Sequence, residues 1–238
     1  MNKQGNIYTI IYSSVMVIIV AALLAFTAMS LKPAQEKNIA VDKMKQILSA
    51  VNIEANTENA QELYRKYISR SFVINSKGED ITGDAFEINI ANEAKKPDAE
   101  RKLPVFVCTT PDGKTKYCLP MYGAGLWGPI WGYLSVDSDG NTVYGTYFAH
   151  QGETPGLGAE IEKPKFQKQF KGMHLFINGA FKSIAVEKKG QKPLNGADYV
   201  DAISGGTITS KGVQSMLENC LACLLYTSDA ADDRISVD

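Results

Sequence analysis

The hydrophobic pattern changes period along the chain, and each change predicts an element. From residue 4 to residue 31 no side chain is charged, and Val15 to Leu24 is apolar without interruption. A bilayer core takes about 20 helical residues, so this stretch predicts one transmembrane helix over 7–31 behind a short flank, 1–6. A cleaved signal peptide is the competing reading. Its apolar core usually runs about 7–15 residues, and Ala28-Met29-Ser30 is a poor cleavage site. Beyond Pro33 the spacing becomes three and four. Ile39, Val41, Met44, Ile47, Leu48 and Val51 form one apolar stripe, with Asp42 in the first turn of the helix they predict. Leu63, Tyr64 and Tyr67 mark a second helix over 57–69.

After residue 70 the pattern is one of short strands. Residues 72–90 read as strands broken by turns at 76–79 and 82–84, and 92–102, polar and carrying Pro97, as a surface loop. The apolar runs 103–108 and 115–119 flank Pro111-Asp112-Gly113, a hairpin signal. Strand pattern returns at 123–133, around Phe148 and over 170–187, and 192–199 reads as a loop. Many strands and few helices predict an α+β fold built on an antiparallel sheet with flanking helices.

Composition narrows the function. The chain has 238 residues, a net charge of −1 and 45% hydrophobic content, enough for one sizeable domain plus an anchor. Near-neutral charge without a basic cluster argues against a nucleic-acid partner. Lys3 precedes the span, whereas Lys32, Lys37, Lys43 and Lys45 follow it; by charge alone the domain would face the cytoplasm. Cys108 and Cys118 flank the hairpin turn and allow either a disulfide or two buried thiols. Cys220 and Cys223 form a lone C-x-x-C, and His150 and His174 stand apart, so no metal site is assigned. With no triad, P-loop or dinucleotide fingerprint, no catalytic residue is assigned either.

The richest chemistry lies at 201–213, Asp-Ala-Ile-Ser-Gly-Gly-Thr-Ile-Thr-Ser-Lys-Gly-Val. Paired glycines between hydroxyl side chains, followed by the apolar spacing Val213, Met216, Leu217, Leu221, predict a tight loop feeding a helix N-terminus. Thr209 or Ser210 is the expected cap, and Lys211 adds positive charge. Free N–H groups at such a terminus seat anions, phosphate above all. Two earlier stretches are also glycine-rich. Residues 123–133 hold Trp127 and Trp131, which suit either the face of a flat ligand or an ordinary strand and turn. Residues 150–160 contain Glu153-Thr154-Pro155-Gly156-Leu157-Gly158, which is a loop by its chemistry.

Ser204-Gly205-Gly206-Thr207-Ile208-Thr209-Ser210 resembles the Ser-Gly-Ala-Thr-x-Thr-Ser signature of the FMN-binding domain of bacterial respiratory flavoproteins. Gly206 departs from the usual alanine. The resemblance implies FMN joined covalently by phosphoester to Thr207, attached by a flavin transferase, with Asp201 at the matching position six residues earlier. Ser204, Gly205, Gly206, Thr209 and Ser210 form the rest of the signature. The order Gly-Leu-Trp, Glu-Thr-Pro-Gly-Leu-Gly, Ser-Gly-Gly-Thr places Trp127, Glu153, Thr154 and Leu157 around the ring.

The segment 41–51 is also similar to the juxtamembrane helix of one component of the sodium-translocating NADH:quinone reductase, and tips the reading from the homologous component of the Rnf complex toward that reductase. The implied role is an electron relay whose partners are the other membrane subunits, in quinone reduction coupled to sodium export. The expected place is the cell inner membrane, with the domain on the periplasmic side. A cofactor-free anchored binding module is the rival from another class. The expected organisation is a membrane-proximal part over 32–114, the FMN-binding domain over 115–222, and an atypical tail over 223–238. That tail reads as disordered or non-native, closer to translated sequencing-adapter sequence than to a domain's end.

Overall fold

The computed structural model describes residues 5–222; the start of the N-terminal flank, Cys223 and the atypical tail lie outside the described residues. The chain divides into two compact units, Met1–Lys43 and Met44–Asp238. The first belongs to helix α1 (Asn6–Ala50), a single helix of 45 residues where the pattern predicts a span and a separate second helix. Pro33 lies inside it and Asp42 far from its first turn. A proline within a helix gives up one hydrogen bond and crowds the carbonyl four residues back. Here it is followed by Ala34, Gln35, Glu36 and Lys37, strong helix formers with no glycine among them, and the helix continues. One 18-residue window of α1 reaches a mean hydropathy of 2.5 with none of it buried inside the protein, long and apolar enough to cross a membrane.

The second unit is a two-faced sheet. After α2 (Ala60–Tyr67), shorter than the pattern predicts, come β1 (Ile68–Ile74) and β2 (Asp80–Ile81). A short α3 (Ile90–Glu93) precedes β3 (Leu103–Thr109), β4 (Thr115–Ala124), β5 (Pro129–Asp137) and β6 (Val143–His150). They form one sheet in the order β2-β1-β3-β4-β5-β6, antiparallel throughout. The expected β3–β4 hairpin is there: Gly113, at φ +76°, closes its turn, and its N–H donates to Thr110 O at 2.8 Å. The 82–89 segment forms turns rather than strand, and α4 (Pro164–Gln167) follows β6. Within 170–187 there are three short strands, β7 (Phe176–Ile177), β8 (Ala180–Phe181) and β9 (Ile184–Glu187); β9 pairs in parallel with β10 (Asp198–Asp201). The last described helix is α5 (Thr207–Leu221).

Alternation sorts the side chains of each strand between two cores. On one face Leu119, Met121, Ile130 and Leu134 pack with Val213, Met216, Leu217 and Leu221 of α5 and with Phe148, Phe166 and Phe170. On the other, Val73, Phe106, Cys108, Cys118 and Tyr133 meet Ile47, Ala50 and Val51, with Tyr64 and Tyr67 of α2 at the margin. Burial on both faces explains why 103–108 reads as a continuous apolar run rather than a strict alternation. The end of α1 is sealed to the sheet. Ser135 Oγ donates to Ala50 O at 2.6 Å and also lies 3.2 Å from Gly145 O. Asn52, left-handed at φ 59°, sends its side-chain amide to Tyr144 O.

Cys108 stands opposite Lys116 and Cys118 opposite Phe106, two rungs apart rather than face to face. Both are buried free thiols, the second of the two alternatives the sequence allowed.

Candidate cofactor site

The glycine pair and its hydroxyl neighbours do form a loop that feeds a helix, but the helix starts earlier than its apolar spacing suggests. Gly206 N–H donates to Ile203 O at 3.0 Å, closing a turn in which Gly205 has φ +75°, a conformation that side chains with a Cβ rarely take. α5 then begins at Thr207, with Gly206 as its N-cap and no side-chain cap. The expected cap residues are occupied elsewhere: the Thr209 hydroxyl donates to Glu153 Oε2 at 2.6 Å, and Ser210 Oγ accepts the Ile203 N–H at 3.0 Å. Lys211 is likewise drawn off, its Nζ lying 2.9 Å from Glu187 Oε1 and from Gln214 Oε1. Around an N-terminus rich in hydroxyl residues, the first-turn N–H groups thus have no side-chain acceptor among the described residues. Thr207 and Ser204 are exposed, whereas Thr209 and Ser210 are buried.

Glu153 joins the three glycine-rich stretches. It follows β6 and is only 5% exposed. One carboxylate oxygen accepts Thr209 Oγ1–H; the other accepts the Trp127 N–H at 2.8 Å, with Leu126 N–H also serving the group. Its own N–H donates to His150 Nδ1 at 3.1 Å. Burial pushes this carboxyl upward, yet the Thr209 hydroxyl and the two N–H donors, with His150 nearby, hold it below the ordinary carboxylate value. The approach requires glycines. A Cβ at Gly125 would stand 2.5 Å from Glu153 Oε1, and one at Gly158 would collide with Glu153 Oε2 and with Thr209 Oγ1.

The 154–158 loop turns through Pro155 and Gly156, the latter at φ +76°, and Thr154 O accepts the N–H groups of Leu157 and Ala159. It brings Leu157 over the glycine pair: a Cβ on Gly205 would meet Leu157 Cδ2 at 2.6 Å, and one on Gly206 would lie 3.2 Å from the Leu157 carbonyl carbon. The family's usual alanine would therefore fit at 206 only tightly.

Leu126, Leu157 and Ile208 are exposed large apolar residues, and Trp127 is 68% exposed. Thr154 is exposed as well. The residues sort into two groups. Thr207, Ser204, Trp127, Leu157 and Thr154 face outward; Glu153, Thr209 and Ser210 form the frame behind them, their polar atoms already engaged. Asp201 ends β10, where its N–H donates to the Gln169 side chain.

Two contributions escaped the sequence reading. One is the Glu153–Thr209 hydrogen bond between residues 56 positions apart. The other is Ile208, exposed beside the attachment candidate; an isoleucine at the second position of a helix carries no signal of its own. Two depressions, of about 510 Å³ beside Asp198 and Asp201 and about 410 Å³ beside Tyr122 and Cys220, lie outside this group. Among the described residues no cluster of metal-ligating side chains occurs.

An antiparallel sheet carrying one helix with an uncapped N-terminus, an exposed threonine and glycine-fitted loops is the arrangement of a domain able to seat a phosphate-bearing ligand. Residues 125–222 match the model of the FMN-binding domain. Over 213 residues the chain is 32% identical to the C subunit of the Na(+)-translocating NADH-quinone reductase of Vibrio vulnificus, spanning 83% of each protein. To its counterpart in Haemophilus ducreyi it is 34% identical over 230 residues, with 90% of this chain and 89% of the relative aligned. The crystal structure of the counterpart from Parabacteroides distasonis superposes with a TM-score of 0.78 at 46% identity, covering 87% of this chain and 98% of that one. Shewanella oneidensis NqrC superposes at 0.68 with 25% identity, covering 84% of this chain and 100% of that one. The chain belongs to the NqrC family, the C subunits of Na(+)-translocating NADH-quinone reductases.

Proposed function

We propose that this protein is an electron-relay subunit of a sodium-translocating NADH:quinone reductase, carrying FMN as a phosphoester on Thr207. The observation that carries the reading is the setting of Thr207: exposed, and the first residue of a helix that no side chain caps. A phosphodiester there would meet the first-turn N–H groups and the positive end of the helix dipole. Trp127, Leu157 and Leu126 offer apolar surface for a flat ring, and Gly205 and Gly206 keep the backbone low beneath it. FMN supplies one- and two-electron transfer when bound; the chain's own residues hold and orient it.

Esterification of Thr207 joins its Oγ to phosphorus, releases the hydroxyl proton and breaks the phosphoanhydride bond of a flavin dinucleotide donor, whose other half leaves as a nucleoside monophosphate. No oxidant or reductant is consumed. A flavin transferase is the partner for that step, and the other subunits of the complex are the electron donor and acceptor. NADH would be oxidised on another subunit, and the relay would serve quinone reduction coupled to sodium export. We further place the domain on the periplasmic side of the inner membrane: large domains translocate despite the positive charges that follow α1, and a covalent bond keeps a cofactor that would otherwise be lost there.

Co-expression with the transferase, followed by peptide mass spectrometry, tests the reading. The peptide spanning Gly205 and Gly206 should carry one added FMN, and Thr207→Ala should carry none. Because Thr207 is exposed, that variant should melt within a few degrees of the parent, as surface changes within about 0.5 kcal/mol do. A bare peptide in the parent protein would defeat the proposal.

A further inference from the structure

We propose that Glu153 is a positioning residue: its buried carboxylate clamps the 125–127 turn and the 157–158 loop onto the first turn of α5, and so sets the Thr207 hydroxyl for esterification. The inference rests on Thr207 being the attachment residue, and it concerns a residue that does not face outward. Both Glu153 oxygens are engaged by the protein, one by Thr209 Oγ1 at 2.6 Å and the other by the Trp127 N–H at 2.8 Å. At 5% exposure the residue offers little surface to a ligand.

Thr209 lies two residues beyond Thr207 in the same turn of α5. A grip on its hydroxyl therefore fixes the rotation of the turn that presents Thr207. Glycines at 125 and 158 let both segments close on the carboxylate, since a Cβ at either position would collide with it. Hydrogen bonds to an ionised acceptor are roughly twice as strong as neutral ones, which suits a clamp that links segments far apart in the chain. Removing it strands the buried Thr209 hydroxyl and leaves the Leu126 and Trp127 N–H groups without their carboxylate acceptor.

The experiment compares the full-length protein with Glu153→Ala, Glu153→Gln and Thr209→Val, using two readouts. The first is amide hydrogen exchange in protein not exposed to flavin. Glu153→Ala should lose about ten-fold or more of its protection at Gly206 and Ser210, whose N–H groups are bonded to Ile203 O and Gly206 O, the loss about 1.4 kcal/mol produces, while β4 to β6 keep theirs. The second is the rate of loading by the transferase, followed by intact mass. Glu153→Ala should lower the maximal rate about ten-fold or more with little change in the concentration giving half that rate.

Glutamine can still accept from Trp127 and donate to Thr209, so Glu153→Gln should recover most of both readouts. Thr209→Val should mimic Glu153→Ala, and combining the two should add little. Loading and protection of Glu153→Ala at parental levels would overturn the proposal. So would protection lost equally across the whole sheet, since that marks general unfolding. Failure of the parent itself to load would strike the Thr207 assignment instead, and the exchange data would still judge the clamp.

Discussion

Cys108 and Cys118 sit on one face of the β3–β4 hairpin at diagonal positions, fully buried. Burial pushes the Cys108 thiol up to about 11, with Lys116 pulling the other way, and drives Cys118 upward too. Near neutral pH both hold their protons, so alkylating reagents should leave them untouched in the folded protein and modify them after denaturation. The sign of the stability effect follows from linkage. Below the ordinary thiol value, about 8.5, folded and unfolded chains bind the same proton. Above it the unfolded chain releases the proton while the folded chain retains it, so stability falls as pH rises toward 11. The urea midpoint should thus be lower at pH 10 than at pH 8, and Cys108→Ala should shrink the difference. A slope that this variant leaves unchanged would assign the effect to Tyr64, Tyr133 and Cys118, whose burial pushes them the same way.

At this scale Thr207 stood out as the attachment candidate because a local string of residue types marks it. The clamp on Thr209 was not, since nothing near Glu153 in sequence announces a partner in a distant helix.

Among the elements, α1 and α5 were foreseen by their apolar spacing, but their limits were set by other forces. The pattern stops α1 at Pro33 because proline lacks an N–H; the strong helix formers around it carry the helix through to Ala50. The pattern starts α5 late because Ile208 is the one apolar residue of its first turn, and the buried Thr209 and Ser210 are polar. The two helix ends predict different behaviour. Ser135 satisfies the Ala50 carbonyl inside the protein, so Ser135→Ala should lower unfolding free energy by about 1–3 kcal/mol, read by urea titration. Met216, 1% exposed and turned into the sheet, should cost about 2–5 kcal/mol when truncated to alanine. The parallel β9–β10 pair was not legible at all, since strands of four residues carry too little pattern to show a partner.

For the whole molecule, the division at Lys43 predicts a soluble domain. A variant beginning at Met44 should be monodisperse without detergent and retain the melting transition of the domain. One beginning at Asn52 should not, because it discards Ile47, Leu48, Ala50 and Val51, all buried, with Ile47, Ala50 and Val51 in the core around Cys118. Differential scanning calorimetry of the two would decide. The fold class was readable because hairpin turns and strand periods are local. The meeting of three glycine-rich stretches at one carboxylate depends on the order of strands in the sheet, which the sequence does not display.

Trp127, mostly exposed, and Trp131, tied through its indole N–H to Gln46 Oε1, are the two indoles of the chain. The protein therefore carries its own optical gauge. Emission from Trp127 should be red-shifted, and it should be quenched once a flavin arrives alongside, leaving the bluer glow of its partly buried neighbour. Loading could then be timed in a cuvette without any added dye.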